Sequence, residues 1–297
     1  MMIKHSIIMT GSTGYVGSNL LKSFTKEDFL IHLIGRESSL MNVSGNFTKI
    51  YGDLSLPLKD NSIDDIFDHS IFIHCAASIS KDVDDSWKNN VIATKNLLDI
   101  AVKKKAKLFI FISTGGVYGE NNAACDELTL PNPPNPYNYS KLLAEETVKM
   151  YAKNFDMNCL IFRLYFPYAG KNIKGIFNAI PNSIINGNEF IINKDGAPLI
   201  SSIHIDDISS IIATFIKKPF LPKKFLKVYN LCGDEIISFY DLVNLFADRL
   251  SLKPNLKFSG KYVGNILGKN DLLKSDLKWS PTKSIRNYIF DEFEFSS

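Results

Sequence analysis

The chain has 297 residues, 45% hydrophobic and 22% charged, an ordinary globular balance and enough length for one large α/β domain or two coupled ones. Lys and Arg number 34 against 31 Asp and Glu, and the resulting +3 is too mild to point to nucleic acid or a membrane surface. No apolar run approaches the roughly 20 residues that cross a bilayer, and Met1–Thr10 lacks the length and cleavage site of a signal peptide, so the expectation is a cytoplasmic protein.

Ser6–Thr10 is a short apolar run and predicts the first strand. Gly11-Ser12-Thr13-Gly14-Tyr15-Val16-Gly17 follows and opens the first predicted helix. The first glycine allows a tight turn, the next lets backbone approach a pyrophosphate, and the last permits close helix–strand packing. The helix N-terminus then faces the anion. The spacing is Gly-x-x-Gly-x-x-Gly, not the commoner Gly-x-Gly-x-x-Gly, and its place between a strand and a helix distinguishes it from a mere turn. Leu30–Gly35 predicts the second strand, which ends Ile34-Gly35-Arg36-Glu37. An Asp or Glu at the strand end would bind a ribose 2′-hydroxyl. Here Gly35 leaves room and Arg36 can pair with a 2′-phosphate, which favours NADP(H) over NAD(H). Glu37 is a competing acid, and an exposed loop arginine is the plainer reading.

Further strands are predicted at Lys49–Gly52, Ile71–Ala76, Leu108–Thr114 and Cys159–Tyr165, with helices clearest at Trp87–Val102 and Tyr139–Phe155. Lys103–Lys105 falls at a helix end, where it complements the dipole. Near-continuous apolar strands separated by helices indicate an α/β fold with a doubly wound parallel sheet covered on both faces. Pro131–Pro136 reads as a loop delivering the chain into the second of those helices. After Tyr165 the alternation breaks down, and glycines and prolines punctuate shorter elements. Residues 1–165 are therefore expected to form a nucleotide-binding domain. Residues 166–297 would form mainly a smaller substrate domain over the strand ends, with segments near 200–232 returning to the first.

Thr114 ends the fifth predicted strand, and Tyr137 and Lys141 lie four apart, one helical turn, on one face. A phenol with a reference pKa near 10 is a poor base at neutral pH. A neighbouring ammonium and a positive nicotinamide would lower it, while a Thr114 hydroxyl holds the substrate oxygen. Tyr139 is two residues from Lys141 and faces elsewhere. His74 and His204 on apolar strands read as packed core residues. The four cysteines, Cys75, Cys125, Cys159 and Cys232, are widely separated, so reduced thiols and no metal site are expected.

With these motifs the sequence resembles the extended short-chain dehydrogenase/reductase family, the NAD(P)-dependent epimerase/dehydratase group acting on nucleotide sugars. The resemblance runs nearly end to end. It includes Gly11, Gly14 and Gly17; Asp53-Leu54, similar to an adenine-contacting Asp after the third strand; and Ile73-His74-Cys75-Ala76-Ala77 near the cofactor. It continues through Asn89-Asn90-Val91, Ile203–Asp207 and Val228-Tyr229-Asn230-Leu231. The resemblance implies a Rossmann-type fold with a smaller C-terminal α/β domain. Thr114, Tyr137 and Lys141 become the catalytic set, with Tyr137 as general acid/base and Lys141 also holding the nicotinamide ribose. It places Ser12, Thr13, Tyr15, Val16, Arg36, Asp53, Leu54, Ala76, Ala77 and Asn90 around the cofactor, and implies a homodimer through the two long helices.

Three departures qualify the substrate. Where 4,6-dehydratases of this family carry Asp and Glu, the chain has Gly115 and Gly116, so elimination of water loses its acid and base. Phe166 stands where Asn is expected, and Ile200-Ser201-Ser202 where an Arg usually grips a diphosphate; Lys171, Lys174 and Asn178 are the alternative donors. The reading is an NADPH-dependent reductase of a nucleotide-linked 4-keto-6-deoxysugar. The alternatives are an NAD-dependent 4-epimerase, or a reductase of a smaller ketone or aldehyde.

Overall fold

Seven parallel strands form the centre of the computed structural model, which describes residues 6–27, 29–193, 196–218, 224–260 and 264–294. They are β1 (Ser6–Thr10), β2 (Leu30–Gly35), β3 (Thr48–Tyr51), β4 (Ile71–His74), β5 (Leu108–Thr114), β6 (Cys159–Leu164) and β7 (Leu226–Leu231). Their order is β7-β6-β5-β4-β1-β2-β3, so the order reverses between β1 and β4. Open α/β sheets bind ligands at the carboxyl ends of strands at such a switch point.

Alternation along β1 assigns its two faces. Ile7 and Met9 join a core with Leu20, Phe24, Ile208 and Ile212, whereas Ile8 joins one with Leu97, Phe109 and Ile161. The helices are α1 (Tyr15–Phe24), a short α2 (Glu37–Leu40), α3 (Ala93–Lys103), α4 (Pro136–Asn154), α5 (Ile176–Ile185), α6 (Ile205–Lys217) and α7 (Phe239–Leu250); α1 and α6 cover the first face, α3 and α4 the second, while α5 and α7 pack against each other. A π-helical segment, Trp87–Ile92, leads into α3. Helix α4 begins three residues before the predicted start. Asn135 caps it by accepting the Asn138 N–H at 3.0 Å, and Pro136 occupies the first turn, where its missing donor costs nothing.

Beyond β6 the described residues form three two-stranded pairings. Pro167–Tyr168 pairs with Ile203–His204, Leu199–Ser201 with Ile236–Ser238, and Glu189–Asn193 with Asn255–Ser259. They lie in sequence on either side of β7, which returns to the main sheet beside β6. Among the described residues no helix is long and apolar enough to cross a membrane.

Candidate active site

Two adjoining cavities open at the switch point. The first, about 420 Å³, runs along the Gly11–Gly14 turn to the ends of β2 and β3. The second, about 510 Å³, lies between the ends of β5 and β6 and the start of α4. Gly14, Cys75, Ala77 and Lys174 line both.

The glycine turn is shaped by its lack of side chains. Gly11 has φ +69°, and a Cβ there would stand 2.5 Å from the Ala76 nitrogen. A Cβ on Gly17 would stand 2.0 Å from the Gly11 oxygen, so α1 sits directly on the turn. Ser12 Oγ is buried with no hydrogen-bond partner among the described residues, an unspent donor beside the α1 N-terminus. A phosphate group fits this cradle. Ser12, Thr13, Ala76 and Ala77 line the same cavity, and at its far end stand Arg36, Ser39, Asp53 and Leu54. Asp53 accepts the Ser55 N–H at 2.9 Å, and this bond, helped by Arg36, holds its carboxyl below the usual range. Glu37 is not among the lining residues.

Thr114, Tyr137 and Lys141 come together in the second cavity, with Tyr15, Val16 and Gly17 on its α1 side. Thr114 Oγ1 accepts the Gly116 N–H at 3.1 Å, which leaves its own proton to donate. Lys141 is 2% exposed, and its ammonium lies 4.0 Å from the centroid of the Phe111 ring. Burial lowers its pKa to about 8, against the opposing pull of Glu145 and Cys75. Burial pushes the Tyr137 phenol up to about 12. Tyr139, by contrast, is exposed. Among the described residues lining this cavity there is no Asp or Glu.

Three sequence candidates, Asn90, Lys171 and Asn178, lie outside both linings. Asn90, 1% exposed, sits behind the site, where it accepts from the Ser78 N–H at 2.8 Å and donates to Ser140 Oγ at 2.8 Å. It ties the loop after β4 to α4. Asn178 is on the exposed side of α5, outside both linings, with its side-chain oxygen accepting from Asn182. His74 is a core residue held between Thr10 Oγ1 at 2.6 Å and Thr94 Oγ1 at 3.0 Å, and burial lowers its pKa to about 3.

The lining also includes residues that sequence reasoning missed: Ser39 in the first cavity, and Ile79, Asn138 and Ile266 in the second. Phe166, at φ +24°, closes the rim with Pro167. The segment after it is fastened to α1. The Tyr15 hydroxyl donates to the Ala169 carbonyl at 2.7 Å, while Asn19 donates to the Lys171 carbonyl at 2.8 Å and accepts its N–H at 3.0 Å.

Comparison with known proteins gives a consistent family. Residues 7–232 match the model of the NAD dependent epimerase/dehydratase family. A UDP-glucose 4-epimerase of Vibrio cholerae is 27% identical, with 95% of this chain and 92% of that protein covered. A dTDP-D-glucose 4,6-dehydratase of Dictyostelium discoideum is 29% identical over 80% of this chain and 60% of its own length. Among solved structures, a Bacillus cereus UDP-glucuronic acid 4-epimerase in complex with UDP-glucuronic acid and NAD superposes with a TM-score of 0.82, at 24% identity and 96% coverage of each chain.

Proposed function

The chain belongs to the NAD dependent epimerase/dehydratase family, and on that premise we propose that it is an NADPH-dependent reductase of a nucleotide-linked 4-keto-6-deoxysugar. One observation carries the cofactor and, with it, the direction of reaction. At the end of β2 the first cavity is lined by Arg36 and Ser39, with no acid from that strand end. Arg36 is suited to a 2′-phosphate, and the phosphorylated, freely exchanging cofactor is the one a net reductase consumes.

The cradle at Ser12–Gly14 would hold the cofactor diphosphate, Asp53 and Leu54 the adenine end, and Lys141 the nicotinamide ribose. NADPH supplies the hydride when bound. Thr114 donates a hydrogen bond to the substrate carbonyl oxygen, and Tyr137 gives that oxygen its proton as the carbon is reduced. Solvent then restores the phenol. Lys174, shared by both cavities, is the candidate cation for the substrate diphosphate. With no carboxylate among the described residues lining the second cavity, elimination of water has no acid–base pair there. In this reading residues 1–165 and β7 carry the cofactor, and most of 166–297 shapes the substrate end.

A titration of the cofactor-free protein tests the cofactor. NADPH is expected to bind at least about tenfold more tightly than NADH, a difference of about 1.4 kcal/mol, and Arg36→Ala should bring the two near parity. A protein that purifies with NAD that will not exchange overturns the reductase reading. The second reading, a 4-epimerase that returns the hydride to the opposite face, then leads; the Vibrio cholerae relative bears that name.

A homodimer is the proposed assembly. Val83, Trp87, Tyr139 and Leu143 are exposed apolar side chains around one groove between the Trp87–Ile92 segment and α4. Sedimentation should give twice the 33.4 kDa chain mass, and Trp87→Glu with Tyr139→Glu should return it to a monomer. A concentration-independent monomer mass for the unmodified protein removes the dimer.

A further inference from the structure

The two glycines that follow β5 leave space which side chains from elsewhere fill. A Cβ on Gly115 would stand 2.4 Å from Tyr165 Cζ, and one on Gly116 would stand 2.5 Å from Oδ1 and 2.9 Å from Cγ of Asn138. Neither distance is tolerated by carbon, so the Asn138 carboxamide lies against bare backbone at Gly116. Asn138 directly follows Tyr137 in the first turn of α4. Its backbone N–H is taken by the Asn135 cap, but among the described residues nothing hydrogen-bonds its carboxamide. The residue is 8% exposed and lines the second cavity together with Thr114, Gly116 and Tyr137. The carboxamide faces the cavity, where its donors and acceptor are available to a ligand or to water.

We propose that Asn138 is a further substrate-binding and specificity-determining residue, its carboxamide hydrogen-bonding a polar substituent on a carbon next to the reacting one. This rests on reading the second cavity as the substrate site. The Asn138 amide, Thr114 hydroxyl and Tyr137 phenol share the lining with Lys141 and Lys174 and with the apolar Ile79, Phe166 and Ile266. Such a set matches a polyhydroxylated ring better than an apolar ketone. An amide also serves differently from a carboxylate at the same place. It donates and accepts across the working pH range without removing a proton, so it can read a neighbouring hydroxyl without starting an elimination.

The test is the binding of UDP-6-deoxyglucose and UDP-3,6-dideoxyglucose to the NADP⁺-loaded protein, by calorimetry. The wild type is expected to bind the sugar without the C3 hydroxyl at least about tenfold more weakly, because it leaves the amide unpaired. Asn138→Ala should bind both alike. Gly116→Ala keeps the amide but displaces it, and should give the same loss of discrimination. The double variant should be no worse than either single change, since both remove one interaction. NADPH affinity is expected to stay constant throughout, which also reports that each variant folds. Discrimination that persists in Asn138→Ala, or a loss of NADPH affinity equal to the loss of sugar affinity, overturns the proposal. If no 4-keto sugar is reduced while the Asn138-dependent preference persists, the reductase reading falls and this one stands.

Discussion

Replacing Tyr137 by Phe is expected to slow turnover by about 10²–10⁴-fold, the usual contribution of a positioned acid or base, with NADPH binding unchanged. The phenol is buried in the second cavity, and with its pKa pushed up to about 12 it keeps its proton at neutral pH. That is the state a proton donor to a developing alkoxide requires. Phe preserves the ring and its packing and deletes only the acid. Lys141 sets the pH dependence. Its pKa of about 8 lies below that of an ordinary lysine, so its charge is complete in acid and lost as pH rises through about 8. Reductive turnover should therefore decline on the alkaline side from that region, measured as NADPH consumption against pH. Near wild-type turnover in Tyr137→Phe would remove the phenol from the chemistry.

The second large effect concerns stability. Glu145 and Arg163 are 0% and 3% exposed and form a forked ion pair, Nη2 to Oε2 at 2.7 Å with Nε within 3.2 Å of both carboxylate oxygens. Ser113 Oγ donates to the same carboxylate at 2.5 Å, and Arg163 also donates to the Tyr118 hydroxyl at 2.7 Å, which in turn donates a hydrogen bond to Asn230 Oδ1 at 2.9 Å. The network joins β5, β6, β7 and α4 immediately behind Thr114 and Lys141. Arg163→Met leaves the carboxylate buried without its partner, a change that costs about 3–5 kcal/mol. Against a typical total of about 5–15 kcal/mol this is a large share of the stability. Adding Glu145→Gln should recover much of it, because the pair is then removed together. Urea unfolding midpoints decide it; equal stability of Arg163→Met and wild type would show that the pair contributes little.

The sheet was legible because its strands are apolar runs of the right length, and the glycine turn because close packing leaves it no other residue choice. Register with the helices was harder. The start of α4 was hidden by Pro131–Pro136, where the last proline belongs to the helix and not to the loop. The chemistry of Thr114, Tyr137 and Lys141 could be suspected from their spacing and strand-end position. Asn138 could not: beside the tyrosine it looks like any polar residue of a first helical turn, and its meaning depends on Gly116, 22 positions earlier and adjacent only in the fold. Glu145 was likewise unremarkable in sequence. Only the burial of Arg163 at β6 makes a charge necessary there. Asn178 is the opposite case, a donor by sequence position whose helix sets it on an exposed face outside both cavities.

The fastening of Ala169 and Lys171 to α1 also limits how the chain can vary. Lys171 engages Asn19 through both its N–H and its carbonyl, and Ala169 is held two residues away by Tyr15. The length between these anchors is therefore set by the first helix and not by the loop. An insertion there would force one anchor to let go and would shift Phe166 and Lys174 on either side. Length changes that reshape the cavity rim without detaching it from the glycine turn belong after Lys171, in the stretch that ends at the exposed Gly175, where a Cβ would meet nothing within 4 Å.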